Sequence, residues 1–449
     1  MVMQECDKDI VADTDSLSTG APNGPAGKSA VKEQSHAALY ALQMDGDLAG
    51  IDPEYIGFLD RALHGFWGLG RNIVLVWAVK GRGIEALVIP HYRISEFATL
   101  GKDGAAVESQ SIDELEAASE GSQRFIEEIL SRKKHVDADE LARLADLFDV
   151  SPKHIRLPFM PGDDVSTDAI ENVVKRYGIS YVEDRAVALF DIVGFSLFSP
   201  LEQVTQLNSL AYSVNAAYSK MLSNSMDINF ARTTTGDGFY IWNRDRSLNA
   251  NISLYHFTHL VLADNAIARG KARANTTPQL RASFHVGGHY EFYQSEGLSP
   301  TVYSYIVGDV TIELARMIDR ALPGQVLVGD FWVPMPDWDA GKVVRIDTCS
   351  FIERTRTSLE NMKGLVLAGD RIDSIQCYLT GEPETDGAFG VHRYRIEDKH
   401  GRSRNAFNAK INIYRKHADP IFLGVQTRDL DGFEYIERTS VTPESGLDY

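Results

Sequence analysis

Short continuous apolar runs and long amphipathic stretches alternate through the middle of the chain. Ala186–Phe190 is an uninterrupted apolar run that stops at Asp191, the pattern of a strand buried on both faces that ends at a polar site. Leu201, Val204, Leu207, Leu210, Ala211, Val214, Tyr218, Met221 and Leu222 recur at helical spacing and predict one helix over Leu201–Ser223 with these residues on its packed face. Phe230–Trp242 reads as two strands reversed at Thr235-Gly236-Asp237-Gly238, where Asp-Gly is a strong hairpin signal. A helix over Leu254–Arg269 and a strand over Leu280–Gly287 follow. Tyr305–Gly308 then leads into a helix over Val310–Ala321, ended by Pro323-Gly324, with a further strand at Val326–Val328. Strands alternating with crossover helices predict an α/β or α+β sandwich, a sheet covered by helices.

The flanking regions read differently. Residues 1–35 are rich in Ser, Gly, Ala, Asp and Pro with few large apolar groups, the composition of a disordered arm. Residues 36–180 form a mixed, mainly helical region, with a strand at Ile73–Val79 and helices at Arg124–Lys133 and Asp139–Phe148. The stretch DELARLADLFDVSPKHIR superficially resembles a helix-turn-helix, but the absence of a basic recognition helix favours a packing helix followed by a turn at Ser151-Pro152. After Asp330, strand-like runs occur at Lys342–Ile346, Ile375–Leu379, Val391–Ile396, Ile411–Tyr414 and Ile421–Gln426. The first of these are expected to complete the preceding sheet, closing a central domain over 181–380, and residues 381–449 to form a separate small α/β domain.

With 449 residues, 44% of them apolar, the chain buries a large core and divides into two or three domains. Its formal charge of -18 disfavours nucleic acid as a general partner. Cys6, Cys349 and Cys377 lie far apart without CxxC spacing, so neither a disulfide framework nor a thiolate zinc site is expected. The acidic N-terminus lacks the pattern of a signal peptide and no apolar run reaches about 18 residues, so a cytoplasmic protein with no membrane partner is expected.

Two carboxylates mark the candidate chemistry. Asp191 ends the apolar strand, and Ile192-Val193-Gly194-Phe195-Ser196 turns toward a helix, where backbone N–H groups can hold phosphate. Asp237 lies at a hairpin tip able to stand beside that strand, so the two together suit divalent ions without any histidine or thiolate. Each has a structural alternative, a helix cap for Asp191 and a simple turn for Asp237.

ALFDIVGFS (188–196), TTTGDGFYIW (233–242) and YIVGDVTIELARMID (305–319), in this order, resemble three motifs of the class III adenylate and guanylate cyclases. The resemblance covers about a third of the chain, roughly Arg185–Asp330, and implies a ferredoxin-type sheet covered by helices. It implies that Asp191, Ile192 and Asp237 hold two Mn²⁺ or Mg²⁺ ions, that Val193, Gly194 and Phe195 cradle the triphosphate, and that Arg316 stabilises charge developing on the α-phosphate. Lys363 is a candidate triphosphate contact or a solvated surface lysine. The family places the metal carboxylates and the Arg on opposite subunits of a head-to-tail dimer, so a homodimer is implied.

The sequence departs from the family at its base-reading positions, which fall at Thr233, with Arg232 beside it, and Tyr305. These do not give the purine code and suit a smaller base. The resemblance is then nearest to the bacterial Pycsar anti-phage cyclases, which make cyclic UMP or cyclic CMP for a downstream effector and often carry a sensor-like C-terminal domain. The family's transition-state Asn falls at Ile312, which leaves open a variant active site or a degenerate fold that binds nucleotide without turnover; a purine cyclase is the other alternative.

Overall fold

The computed structural model describes residues 51–100, 112–224, 226, 228–295, 302–381, 390–397, 401, 403–430 and 433–439. The arm expected over residues 1–35 lies outside them. The N-terminal unit comprises α1 (Pro53–Trp67), β1 (Asn72–Val79), β2 (Gly83–Pro90), α2 (His91–Leu100), α3 (Ile112–Ser131), α4 (Ala138–Phe148), β3 (Lys153–Arg156) and α5 (Thr167–Lys175). Its three strands form one antiparallel sheet in the order β1-β2-β3. Helix α4 starts on the Asp137 carboxylate, buries Leu141, Leu144, Ala145 and Phe148, and stops at Asp149 in the left-handed region. The strand β3 follows it, so the helix-turn-helix likeness does not extend to a second helix.

The central region continues with β4 (Ile179–Ile192), α6 (Pro200–Ser223), β5 (Phe230–Thr234), β6 (Gly238–Asn243), α7 (Leu248–Lys271), β7 (Leu280–Ser295), β8 (Val302–Val307), α8 (Asp309–Arg320) and β9 (Val326–Gly329). Then come β10 (Trp332–Asp337), β11 (Lys342–Asp347), α9 (Thr348–Ser358), β12 (Val366–Leu367), β13 (Asp370–Leu379), β14 (Val391–Glu397), β15 (Ser403–Arg415), β16 (Ile421–Leu423) and β17 (Glu434–Thr439). Twelve strands form one mixed sheet whose main path is β12-β13-β15-β9-β7-β4-β6-β5. Within it β4 is sandwiched antiparallel between β6 and β7, and β7 runs parallel to β9.

Helices cover the second half of β4 from both sides, which is why Ala186–Phe190 is apolar without alternation. Ala186, Ala188, Phe190 and Ile192 join the core under α6 and α7, with Leu210, Val214, Leu254, Phe257 and Leu260. Val187 and Leu189 join a second core with Val310, Leu314, Met317 and Ile318 of α8. The two-residue period therefore assigns Asp191 to the α8 side of the sheet.

Three expectations differ from what forms. Helix α6 is present and well started, since Ser199 and Glu202 make a capping box and Pro200 opens the first turn. Its buried stripe, however, is Gln206, Leu210, Ser213, Val214, Ala217 and Met221, while Leu201, Val204 and Leu222 are 78%, 57% and 48% exposed. Lys342–Ile346 joins β10 in a separate two-stranded hairpin rather than the main sheet. The separate C-terminal α/β domain is also corrected: β15 hydrogen-bonds to β9 and β13, so the described strands after 390 extend the same sheet, and no α-helix occurs among them.

The core also encloses histidines whose charged form burial disfavours. His256, His285 and His289 are buried, and burial pushes each imidazole down to about 4. Neither ring nitrogen of His259 has a hydrogen-bond partner among the described residues. In an unfolded chain these groups titrate near 6.5, so the unfolded state takes up more protons as pH falls below about 6.5 and the fold loses stability from there down to about 4. Each of the three contributes a loss of about 3 kcal/mol over that range, enough together to consume an ordinary folding free energy of about 5–15 kcal/mol. Urea midpoints measured from pH 7.5 to 4.5 are expected to fall steeply below pH 6; a flat profile would refute the assignment of neutral buried rings.

Candidate active site

Asp191 is the last side chain that β4 presents to the α8 side, and it is 7% exposed. Opposite it in register stands Gly238, the first residue of β6, so the turn carrying Asp237 meets the end of β4 directly. The Ile192 amide donates to the Asp237 carbonyl oxygen at 3.1 Å, which fixes this turn against the strand. Within the turn the Thr235 hydroxyl donates to the Asp237 carboxylate at 3.2 Å, and Gly236 takes φ +101°.

Gly238 has no room for a side chain, because a Cβ there would sit 1.9 Å from the Phe190 carbonyl oxygen. Gly238→Ala is therefore expected to pry β6 from β4, displace Asp237 and cost about 3 kcal/mol or more. A melting temperature within a degree or two of the parent would show that this close approach is not needed.

The third party at the corner is Arg281, the cross-strand partner of Asp191 on β7. Its Nε donates to Asp191 Oδ2 at 2.7 Å and one terminal nitrogen donates to the Ala321 carbonyl oxygen, just past the end of α8, at 3.2 Å. Burial nevertheless outweighs this ion pair and holds the Asp191 carboxyl above the usual carboxylate range, with the charges of Asp237 and Asp319 adding to the shift. Asp319, near the end of α8, also acts on Tyr240, whose hydroxyl is pushed up to about 12, chiefly by burial. Asp237 and Asp319 thus act on Asp191 at the junction of β4, β6, β7 and α8, where Arg281 is its ion-pair partner.

The loop after Asp191 is turned by Gly194, which takes φ +67° and opens a short 3-10 turn over Phe195–Leu197. The Val193 amide donates to the Gln279 carbonyl oxygen at 2.9 Å and is engaged within the fold. The amides of Gly194 and Phe195 stand at the start of this turn, where the first N–H groups have no acceptor within the turn itself.

Thr233 pairs with Tyr240 across β5 and β6 and shares its α8 side of the sheet, whereas Arg232 pairs with Ile241, faces the other side and lies 5.2 Å from the Phe239 ring centre. Tyr305 pairs with Phe292 on β7 and stacks on its ring at 5.6 Å, and β8 lies alongside β5. Arg316 and Ile312 are on α8, with Ile312 43% exposed and Arg316 half-buried one turn before Asp319. Lys363 follows a 3-10 turn beside β12. The neighbouring Gly364, Leu365 and Val366 line a cleft of about 540 Å³ with Tyr212 and Lys220 of α6 and Asn224 just past its end.

Carboxylates and a backbone oxygen are hard donors of the kind Mg²⁺ and Mn²⁺ take, so Asp191, Asp237 and Ile192 fit such ions, Ile192 through its carbonyl alone. Among the described residues no three His, Cys, Asp or Glu side chains stand at ligating spacing, which leaves further ligands to a bound phosphate or water. No helix among the described residues is long and apolar enough to cross a membrane.

Arg281 and Asp319 escaped the sequence reading. The available signal was Arg281 itself, a cation at the second position of β7; only the β4–β7 register reveals that it stands opposite Asp191.

No protein-family model matches the chain, and no curated protein does. Solved structures overlap with it in part. The guanylyl cyclase Cya2 is 12% identical, with a TM-score of 0.30, over 51% of this chain and 92% of that one. The adenylyl cyclase CyaB from P. aeruginosa is 12% identical, with a TM-score of 0.30, over 54% of this chain and 98% of that one. A bacterial light-regulated adenylyl cyclase is 13% identical, with a TM-score of 0.26, over 40% of this chain and 98% of that one. At such identity and overlap these likenesses carry no argument about activity, and the functional case rests on the corner built around Asp191.

Proposed function

We propose that this chain is a nucleotidyl cyclase that closes a nucleoside triphosphate to its 3′,5′-cyclic monophosphate with release of pyrophosphate, and that its substrate is a pyrimidine, UTP or CTP. The supporting observation is the meeting of Asp191 with the Asp237 turn, held by the Ile192–Asp237 backbone hydrogen bond, on the side of the sheet that carries α8. In the reaction the ribose 3′ oxygen attacks the α-phosphorus and loses its proton, while the bond to the pyrophosphate oxygen breaks. Divalent cations held by Asp191, Asp237 and Ile192 would supply Lewis-acid polarisation of the 3′-hydroxyl and the phosphate oxygens.

The chain's own groups do the rest. The Gly194 and Phe195 amides bind phosphate oxygens, and Arg316 donates to the oxygens of the α-phosphate, where negative charge builds. Thr233 and Tyr305 would stand at the base-reading positions, and neither offers the purine code. The family arrangement would bring Arg316, and Lys363 as a triphosphate contact, from a second copy. The exposed Leu201, Val204 and Tyr212 on α6 support such a homodimer. The cyclic product would act as a second messenger, read by a separate effector in anti-phage defence.

A second reading, nucleotide binding without turnover, is favoured by Ile312, which offers no hydrogen bond where an amide side chain would be expected. Purified protein incubated with each of the four NTPs and Mn²⁺ decides among these, with products identified by mass spectrometry. Cyclic UMP or cyclic CMP is expected; cyclic AMP or cyclic GMP as the main product would overturn the pyrimidine assignment, and binding with no cyclic product would establish the second reading.

A further inference from the structure

Helix α8 carries Arg316, and the strands that follow β13 grip this helix along one flank. Arg404, at the second position of β15, forms an ion pair with Glu313 on α8. Arg320, two turns further along the helix, donates from Nε to the carbonyl oxygen of Glu397, the last residue of β14, at 2.9 Å. Ile396 and Ala406 of the same strand pair join the core with Val310, Leu314 and Met317. At about 100° per residue, Glu313 and Arg320 share one line along α8, and Arg316 stands about 60° round from Glu313, between that line and the open flank that carries Ile312 and Asp319. Glu313 thus precedes Arg316 by one turn, the spacing at which a carboxylate and a guanidinium meet on a helix surface. Its carboxylate is engaged by Arg404 instead, in a pair whose side chains are 13% exposed for Arg404 and 28% for Glu313, so solvent screens it only in part.

From this geometry we propose that Arg404 is a positioning residue for Arg316: it holds the Glu313 carboxylate, so that Arg316 does not pair with Glu313 within its own helix when the α-phosphate has to be met. This rests on the reading of Arg316 as the donor to that phosphate and adds to it a residue that touches neither substrate nor metal. The charge balance explains why an acidic side chain is tolerated so close to a group that must meet a phosphate: Arg404 neutralises it locally. The strands after β13 then belong to the working enzyme, because they supply the cation that sets how Arg316 is used.

The test is steady-state formation of the cyclic monophosphate by the full chain, with each variant melted beside the parent. Arg404→Gln is expected to lower kcat about tenfold with KM kept within about twofold, because the interaction lost is one made in the transition state. Adding Glu313→Gln is expected to restore kcat to within about threefold of the parent, and Arg404→Gln placed on Arg316→Ala to lower the residual rate no further. A folded Arg404→Gln chain with the parent kcat, a loss that Glu313→Gln does not relieve, or an equal loss on Arg316→Ala overturns the proposal and leaves the cyclase reading standing. A folded parent that makes no cyclic product from any of the four NTPs ends the reading and the proposal together. Should Arg404→Gln not fold, Arg404→His carries the test. Relative to the parent its kcat is expected to fall about tenfold as pH rises from about 6.5 to about 8.5 and the imidazole loses its charge, and a profile parallel to the parent's overturns the proposal.

Discussion

Asp191→Asn and Asp237→Asn are each expected to abolish formation of the cyclic monophosphate while leaving the chain folded. Loss of a carboxylate that holds a divalent ion removes several kcal/mol of charge stabilisation from the transition state, roughly a thousandfold or more in rate. The stability side of the argument separates this from misfolding. Burial already disfavours the charged form of Asp191, so exchanging it for a neutral isostere relieves a desolvation cost while it weakens the Arg281 pair, and Arg281 keeps its bond to the Ala321 carbonyl. Asp237 is half-exposed in a turn held mainly by backbone hydrogen bonds. Both variants should therefore melt within about 1 kcal/mol of the parent. Product measured by mass spectrometry beside a thermal melt tests this: an equally stable Asp191→Asn chain that keeps a tenth of the parent rate would end the assignment of Asp191 as an essential metal ligand.

The parts of this fold that the sequence discloses are those whose cause is local. β4 is legible because burial on both faces makes it a continuous apolar run, and its end is legible because Asp191 breaks that run. The β5–β6 hairpin is legible from Asp237-Gly238, and α6 from the pattern that follows Ser199 and Pro200. What depends on partners is not. The apolar positions of α6 serve two surfaces, a core stripe through Leu210 and Val214 and an exposed one through Leu201 and Val204, and a periodic pattern alone does not distinguish them. The β15–β9 pairing that joins the C-terminal strands to the main sheet spans about eighty residues of sequence and leaves no local mark. Arg281 is the same case in the candidate site: its identity is plain, but its meaning comes from a register that sets it across from Asp191. Asp319 likewise acquires its role from the docking of α8 on β4.

The proposed sharing of the site between two copies makes a sharper demand than any single substitution. Arg316 lies on α8, and the proposed chemistry has it complete a corner whose carboxylates belong to the other copy. Arg316→Ala should then be as inactive as Asp191→Asn, since loss of a preorganised donor to the developing charge costs roughly a hundred- to a thousandfold. Mixing the two inactive chains gives a different result. In a two-fold dimer each site takes its carboxylates from one chain and its guanidinium from the other, so a mixed dimer holds one site with both groups intact and one lacking both. Random exchange places half of the molecules in mixed dimers with one working site each, and activity should return to about a quarter of the parent value. Recovery requires exchange, so unfolding and refolding the mixture together is compared with mixing the folded dimers. If co-refolded chains form mixed dimers and yet stay inactive, each chain must build its site from its own residues, and Arg316 would have to reach Asp191 along the same copy of α8.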